Sequence, residues 1–130
     1  MCVFCKIINH EIPSSVIYED DDVLAILDIS QVTRGHTLVM PKKHVRNVLE
    51  ADEETVQKCM LTARKLAAQI VTNLHASGVN ILTNCGESAG QSVDHLHFHI
   101  IPRYDSSDAI QITFGETEQD LESVRKDILG

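Results

Sequence analysis

No apolar run in this 130-residue chain approaches the roughly 20 residues that a membrane span requires, so no membrane partner is expected. Basic residues are scarce. Lys and Arg number 11 against 19 Asp and Glu, the formal net charge is -8, and no basic run is longer than Lys42–Lys43. A protein that tracks a phosphate backbone is usually basic, which argues against nucleic acid as a partner. A small phosphorylated ligand stays open, because it needs only a local positive or amide-lined pocket. The N-terminal stretch MCVFCKIINHEIP has no basic region followed by an apolar one, so no secretory signal is expected and the expected location is cytoplasmic. Four cysteines occur, Cys2, Cys5, Cys59 and Cys85. In a reducing compartment they are not expected to form structural disulfides. Repeats, low-complexity tracts and linkers are missing too, which leaves one domain over residues 1–130.

What is present reads as short strands around one long helix. Residues 16 to 29, VIYEDDDVLAILDI, form two β-rich runs about an acidic turn at 19–22, and HTLVMP at 36–41 is a third run, preceded by a turn at Gly35 and stopped by Pro41. From Asp52 to about residue 76, apolar residues recur at three- and four-residue steps: Val56, Cys59, Met60, Ala63, Leu66, Ala67, Ile70, Val71 and Leu74. Asp52 is a natural cap, Glu53 and Glu54 suit the positive end of the helix dipole, and Gly78 is the expected stop. VNILTN at 79–84 reads as a strand and CGESAGQS at 85–92 as a polar loop. A short helix is expected from Thr117, with Thr117 and Asp120 spaced like a capping box. Hairpin-like strands with a single long helix predict an α+β fold with a mostly antiparallel sheet.

The densest chemical signal is HLHFHIIPR at 95–103, where three of the seven histidines fall on alternate positions. In a strand, His95, His97, His99 and Ile101 share one face, at roughly 6.6 Å per step, while Leu96, Phe98 and Ile100 pack the other face against the helix. Three readings compete: an exposed polar face, a metal site built on His-x-His, or acid–base and nucleophilic chemistry on a phosphoryl group. Cys2 and Cys5 form a Cys-x-x-Cys pair suited to zinc, which His44 and one of the three histidines are best placed to complete. Cys59 lies on the helix stripe and reads as a buried core thiol. Gly86 and Gly90 allow close backbone approach in the loop before the histidines, where amides and the Ser92 hydroxyl can cradle phosphate oxygens.

HLHFHII resembles the pattern of the histidine triad (HIT) family. FCKIINHEIPSSVIYEDDDVLAILDI, GHTLVMPKKHV and NCGESAGQSVDHLHFHIIPR extend the likeness over most of the chain, toward the Hint-like branch. The resemblance implies a HIT fold with a five-stranded antiparallel sheet, one long helix and a short C-terminal helix, and a homodimer joined through the long helix and a neighbouring strand. It implies a purine nucleotide-binding hydrolase that cleaves adenosine-type 5′-phosphoramidates at the α-phosphate through a covalent nucleotidyl-histidine and releases AMP. His97 is then the nucleophile, His99 the phosphate-binding histidine, and Ser92 a contact to phosphate or leaving amine. Asn84, Gly90 and Gln91 line the phosphate end, Asp28 accepts from the ribose hydroxyls, and Val3, Phe4, Ile7 and Ile26 pack the purine. The cysteine pair resembles bacterial members, for which the implied ligands of a structural zinc are Cys2, Cys5, His44 and His95. His36 matches a family histidine without an assigned role, and His10 and His75 fit exposed positions. The ending IIPR also resembles the diadenosine polyphosphate hydrolases, with Arg103 as a further phosphate contact. That activity is the alternative enzyme, and a nucleotide-binding adaptor with vestigial catalysis is the alternative outside catalysis.

Overall fold

The computed structural model describes residues 2–130. Its elements are α1 (Val3–Ile8), β1 (Val16–Glu19), β2 (Val23–Leu27), β3 (Thr37–Pro41), α2 (Glu53–Leu74), β4 (Gly78–Leu82), β5 (Phe98–Arg103) and α3 (Leu121–Leu129). The five strands form one sheet in the order β1-β2-β3-β5-β4, and every pairing is antiparallel. This is the expected α+β arrangement, and short connections make antiparallel neighbours the cheapest topology.

The sheet has a helix on each face. On one side Cys59, Ala63, Leu66, Ala67 and Ile70 of α2 pack on Val23, Ala25, Val39, Leu96, Phe98 and Ile100. On the other, Phe4 of α1 packs on Leu24, Ile26, Leu38 and Met40. Strand alternation sorts these two sets, since odd and even residues of β2 and β3 feed opposite clusters. The central strands are covered on both faces, and β3 is buried along its whole length.

Four local details depart from the sequence expectations. The helix α1 was not foreseen: six residues carry too little periodicity to read, and the Cys2 sulfur caps it by accepting from Cys5 N at 3.1 Å. Helix α2 stops at His75, which takes the left-handed conformation (φ 59°, ψ 38°) expected of a glycine, and Gly78 opens β4 instead. Helix α3 starts later than expected, with Asp120 rather than Thr117 as its cap: the Asp120 carboxylate accepts from Glu122 N and Ser123 N. Strand β5 begins at Phe98, so His95 and His97 lie in the approach to the strand, although side-chain alternation holds through both.

Candidate active site and metal-ligand group

The α1 face of the sheet collects nearly every polar side chain singled out in the sequence. His95 and His97 are buried and His99 is half-buried on this face, while their neighbours Leu96, Phe98 and Ile100 fill the α2 core. Phe4 meets His97 edge-on at 4.9 Å between ring centroids and His95 at 5.9 Å, so α1 acts as a lid over the row.

Each histidine has its own environment. His97 Nδ1 donates to the His95 carbonyl at 2.7 Å, which leaves Nε2 with its lone pair free. His95 Nε2 donates to the Pro41 carbonyl at 2.8 Å, which leaves Nδ1 as its free donor atom. His99 Nδ1 lies 2.9 Å from Nε2 of His36, a histidine the sequence flagged without a role. Burial lowers the pKa of all three triad histidines, and that of His99 falls to about 4, helped by the nearby His97 and His36. The row is neutral at pH 7, the form in which imidazole acts as nucleophile or metal ligand.

Cys2, Cys5, His44 and His95, far apart in the chain, form one cluster. Cys2 Sγ lies 3.4 Å from His95 Nδ1 and 3.6 Å from His44 Nδ1, and Cys5 Sγ lies 3.3 Å from His44 Nδ1 and 3.6 Å from His95 Nδ1. The two Nδ1 atoms are 3.2 Å apart. A tetrahedral ion with thiolate bonds of about 2.3 Å and imidazole bonds of about 2.05 Å requires sulfur–nitrogen separations of about 3.5 Å and nitrogen–nitrogen separations of about 3.3 Å. The donor set fits such an ion, and the Pro41 carbonyl behind His95 supplies the outer contact that orients a metal-bound imidazole. Leu96 N donates to Val45 O at 2.8 Å, tying the loop that carries His44 to the histidine segment.

The expected nucleotide residues surround the row. Asp28 follows β2, and its Oδ1 accepts from Ser30 N at 2.8 Å. Ile26 is buried, Ile7 half-buried and Val3 exposed at the α1 edge. Asn84 and Gly90 approach each other, with Asn84 Nδ2 3.5 Å from Gly90 O. The amides of Gly90 and Gln91 donate to Glu87 O and Gly86 O within the turn. The Gln91 side chain braces the same loop, accepting from Gly86 N and donating to Arg46 O and Val93 O. Ser92 is exposed and lines a polar cleft with Arg46, Gly86 and Asp94.

Three other residues resolve simply. Cys59 is fully buried, and desolvation pushes its thiol up to about 12, so it is a core residue. Arg103 is spent internally, on Asp108 Oδ2 (2.9 Å), Asn80 Oδ1 (2.8 Å) and Ile110 O (2.9 Å), which removes the extra phosphate contact considered for it. His10 and His75 are exposed, and both hold positive-φ positions in turns.

The HIT domain profile matches residues 9–106. Protein hit of Bacillus subtilis is 53% identical over 107 residues, covering 82% of this chain and 74% of its own. The adenosine 5′-monophosphoramidase HNT1 of Saccharomyces cerevisiae is 35% identical over 125 residues, covering 96% and 77%. Among solved structures, SMU.412c from Streptococcus mutans superposes with a TM-score of 0.92 at 46% identity, covering 98% of this chain and 83% of that one. A zinc-bound histidine triad family protein from Mycobacterium smegmatis superposes with a TM-score of 0.79 at 39% identity, covering 95% and 88%.

Proposed function

The chain belongs to the HIT domain family of nucleotide-binding hydrolases, and from that premise we propose that it hydrolyses adenosine-type nucleoside 5′-phosphoramidates. The observation that carries this reading is the 2.7 Å bond from His97 Nδ1 to the His95 carbonyl. It presents Nε2 as a fixed nucleophile at the centre of the row. In the first step His97 Nε2 bonds to the α-phosphorus, the phosphorus–nitrogen bond breaks, and the amine leaves with a proton taken from solvent. Positive charge then spreads over the imidazole, and the His95 carbonyl, already bonded to Nδ1–H, stabilises it. In the second step water adds to phosphorus and gives a proton back to solvent, the phosphorus–histidine bond breaks, and AMP departs with His97 neutral again.

His99 contacts a non-bridging phosphate oxygen, and Ser92 contacts the phosphate or the departing amine. Asp28 accepts from the ribose hydroxyls, while Val3, Phe4, Ile7 and Ile26 contact the purine. Asn84 holds the Gly90–Gln91 turn against the phosphate end, and the turn borders the pocket with its backbone, its amides being bonded to Glu87 O and Gly86 O. The name of the yeast relative supports this choice of substrate over dinucleotides, and so does the internal use of Arg103.

Cys2, Cys5, His44 and His95 hold a structural zinc in this reading, a role supported by the tetrahedral spacing and by the zinc-bound relative. With all four positions supplied by protein, the ion cross-links α1, the loop after β3 and the histidine segment. The chain also pairs with a second copy. A groove of about 370 Å³ between the sheet and α2, lined by Ile17, Leu27, Leu66, Ile70 and Leu74 among others, offers apolar surface for that contact.

The test is turnover of adenosine 5′-phosphoramidate against diadenosine polyphosphates, by wild type and His97→Ala. Phosphoramidate hydrolysis that falls by at least about a thousandfold in the variant, with AMP binding retained, is the expected result. Preference for dinucleotides, or turnover that survives the substitution, would overturn it.

A further inference from the structure

Three adjacent strands place a second group of metal-grade donors on the α1 face. Asp28 N donates to His36 O at 3.0 Å, extending the β2–β3 ladder by one residue and setting the two side chains across from each other. Leu38 pairs with His99 between β3 and β5, so His36, two residues earlier, is the diagonal neighbour of His99. The result is His36 Nε2 at 2.9 Å from His99 Nδ1 and 3.7 Å from Asp28 Oδ2, with all three donor atoms within 4.8 Å of one another.

We propose that Asp28, His36 and His99 bind a divalent cation of the zinc class, separate from the ion at the cysteine group. Two imidazoles and one carboxylate are a common zinc donor set that leaves a fourth position open. Outer contacts orient two of the three. His36 Nδ1 accepts from Val32 N at 3.4 Å and lies 3.3 Å from Ser30 O, to which it can donate once Nε2 is a metal ligand. Asp28 Oδ1 accepts from Ser30 N, which leaves Oδ2 to the ion. One residue, Ser30, thus backs both ligands through its own N–H and carbonyl, much as Pro41 backs His95.

Proton accounting closes without an outside partner. In the metal-free chain the Val32 N–H at His36 Nδ1 puts the His36 proton on Nε2, which donates to His99 Nδ1. On metal binding that proton moves to His36 Nδ1, where Ser30 O can accept it, and His36 Nε2 and His99 Nδ1 become ligands with no net proton release. The two nitrogens part from 2.9 Å to about 3.3 Å, within reach of a side-chain rotation.

The consequence rests on the nucleotide reading above. Asp28 and His99 serve ribose and phosphate there, so ion and nucleotide exclude each other. Free zinc then inhibits turnover, and nucleotide protects the site.

The experiment is a cobalt(II) titration of the metal-stripped full chain. The cysteine group reports through a thiolate-to-cobalt charge-transfer band, which the Asp28–His36–His99 group lacks because it has no sulfur. Two ions per chain are expected for wild type. His36→Ala should weaken the sulfur-free site by on the order of tenfold or more and leave the charge-transfer band intact. Asp28→Asn, a milder change in a half-buried side chain, should weaken the same site, and Cys2→Ala with Cys5→Ala should remove only the band. A single ion per chain in wild type, or a second ion indifferent to both His36→Ala and Asp28→Asn, would overturn the proposal. Addition of AMP separates the two readings. Displacement of the sulfur-free ion supports competition, whereas a second ion that AMP leaves in place keeps the metal site and removes the ribose and phosphate roles of Asp28 and His99.

Discussion

His95, His97 and His99 are chemically identical and two residues apart, yet each has a different second partner: the Pro41 carbonyl, the His95 carbonyl and the His36 ring. That partner decides which nitrogen is free, and the free nitrogen decides the chemistry. The alternation of the run shows the three on one face, but which nitrogen His95 and His99 offer depends on atoms contributed by β3 and its flank, and His97 on the carbonyl of His95. Gly35 illustrates the same dependence on backbone. It sits at φ +97°, and a Cβ there would lie 2.6 Å from Leu74 Cδ1 and 3.2 Å from Pro102 Cγ. Leu74 can rotate away, but the left-handed backbone cannot be relieved. Gly35→Ala is expected to lower stability by about 1–2 kcal/mol, read by denaturant unfolding.

At the scale of elements, α2 is the most legible part of the chain. Its Asp52 cap and acidic first turn hold, and of the expected stripe Cys59, Ala63, Leu66, Ala67 and Ile70 are buried, while Met60 is exposed. The Asp52 carboxylate accepts from Thr55 N at 2.8 Å and bonds Lys43 Nζ at 3.0 Å, and the Thr55 bond foremost lowers its pKa to about 2. A pKa depressed on folding means that the carboxylate's stabilisation is complete above its unfolded value of about 3.9 and is lost as pH falls toward 2. Asp52→Asn keeps a capping oxygen without a titrating charge, so its melting temperature should fall less than that of wild type between about pH 4 and pH 2. A matching slope in both proteins would deny Asp52 this role. Short elements were less legible. Helix α1 is held by contacts that lie outside its own sequence: Phe4 against the histidines and Cys2 and Cys5 against His44 and His95.

For the whole molecule, the cysteine group ties distant segments of the chain together. It links α1 to a loop some forty residues on and to the histidine segment some ninety residues on. Metal analysis of the purified protein is expected to find zinc at the cysteine group, and Cys2→Ala with Cys5→Ala should lose it. Loss of the cross-link should lower the melting temperature, and metal-stripped wild type that melts at the same temperature as the loaded protein would refute a structural role. Helix α3 is exposed along its length, with Leu121 and Ile128 each 78% accessible. Together with the groove beside α2, it leaves apolar surface for a second copy to cover. Light scattering at micromolar concentration should give twice the 14.5 kDa chain mass, and a monomer would refute the pairing.

The sequence by itself determined the face on which the histidines stand, the long helix and the charge balance that disfavours nucleic acid. These are local properties, set by side-chain period, capping residues and composition. The Cys-x-x-Cys pair was legible as half of a candidate metal group because ligand type and spacing carry that information, with His44 and one triad histidine as its expected completion. Only the tertiary structure decided that His36 meets His99, that Arg103 turns inward to Asp108, and that the Gly90 and Gln91 amides are taken up by their own turn. The first depends on strand register, and the other two on competing partners three to five residues away that only the folded loop brings into range. Register brings His36 beside His99 across 63 residues, and no local pattern encodes a pairing of that kind.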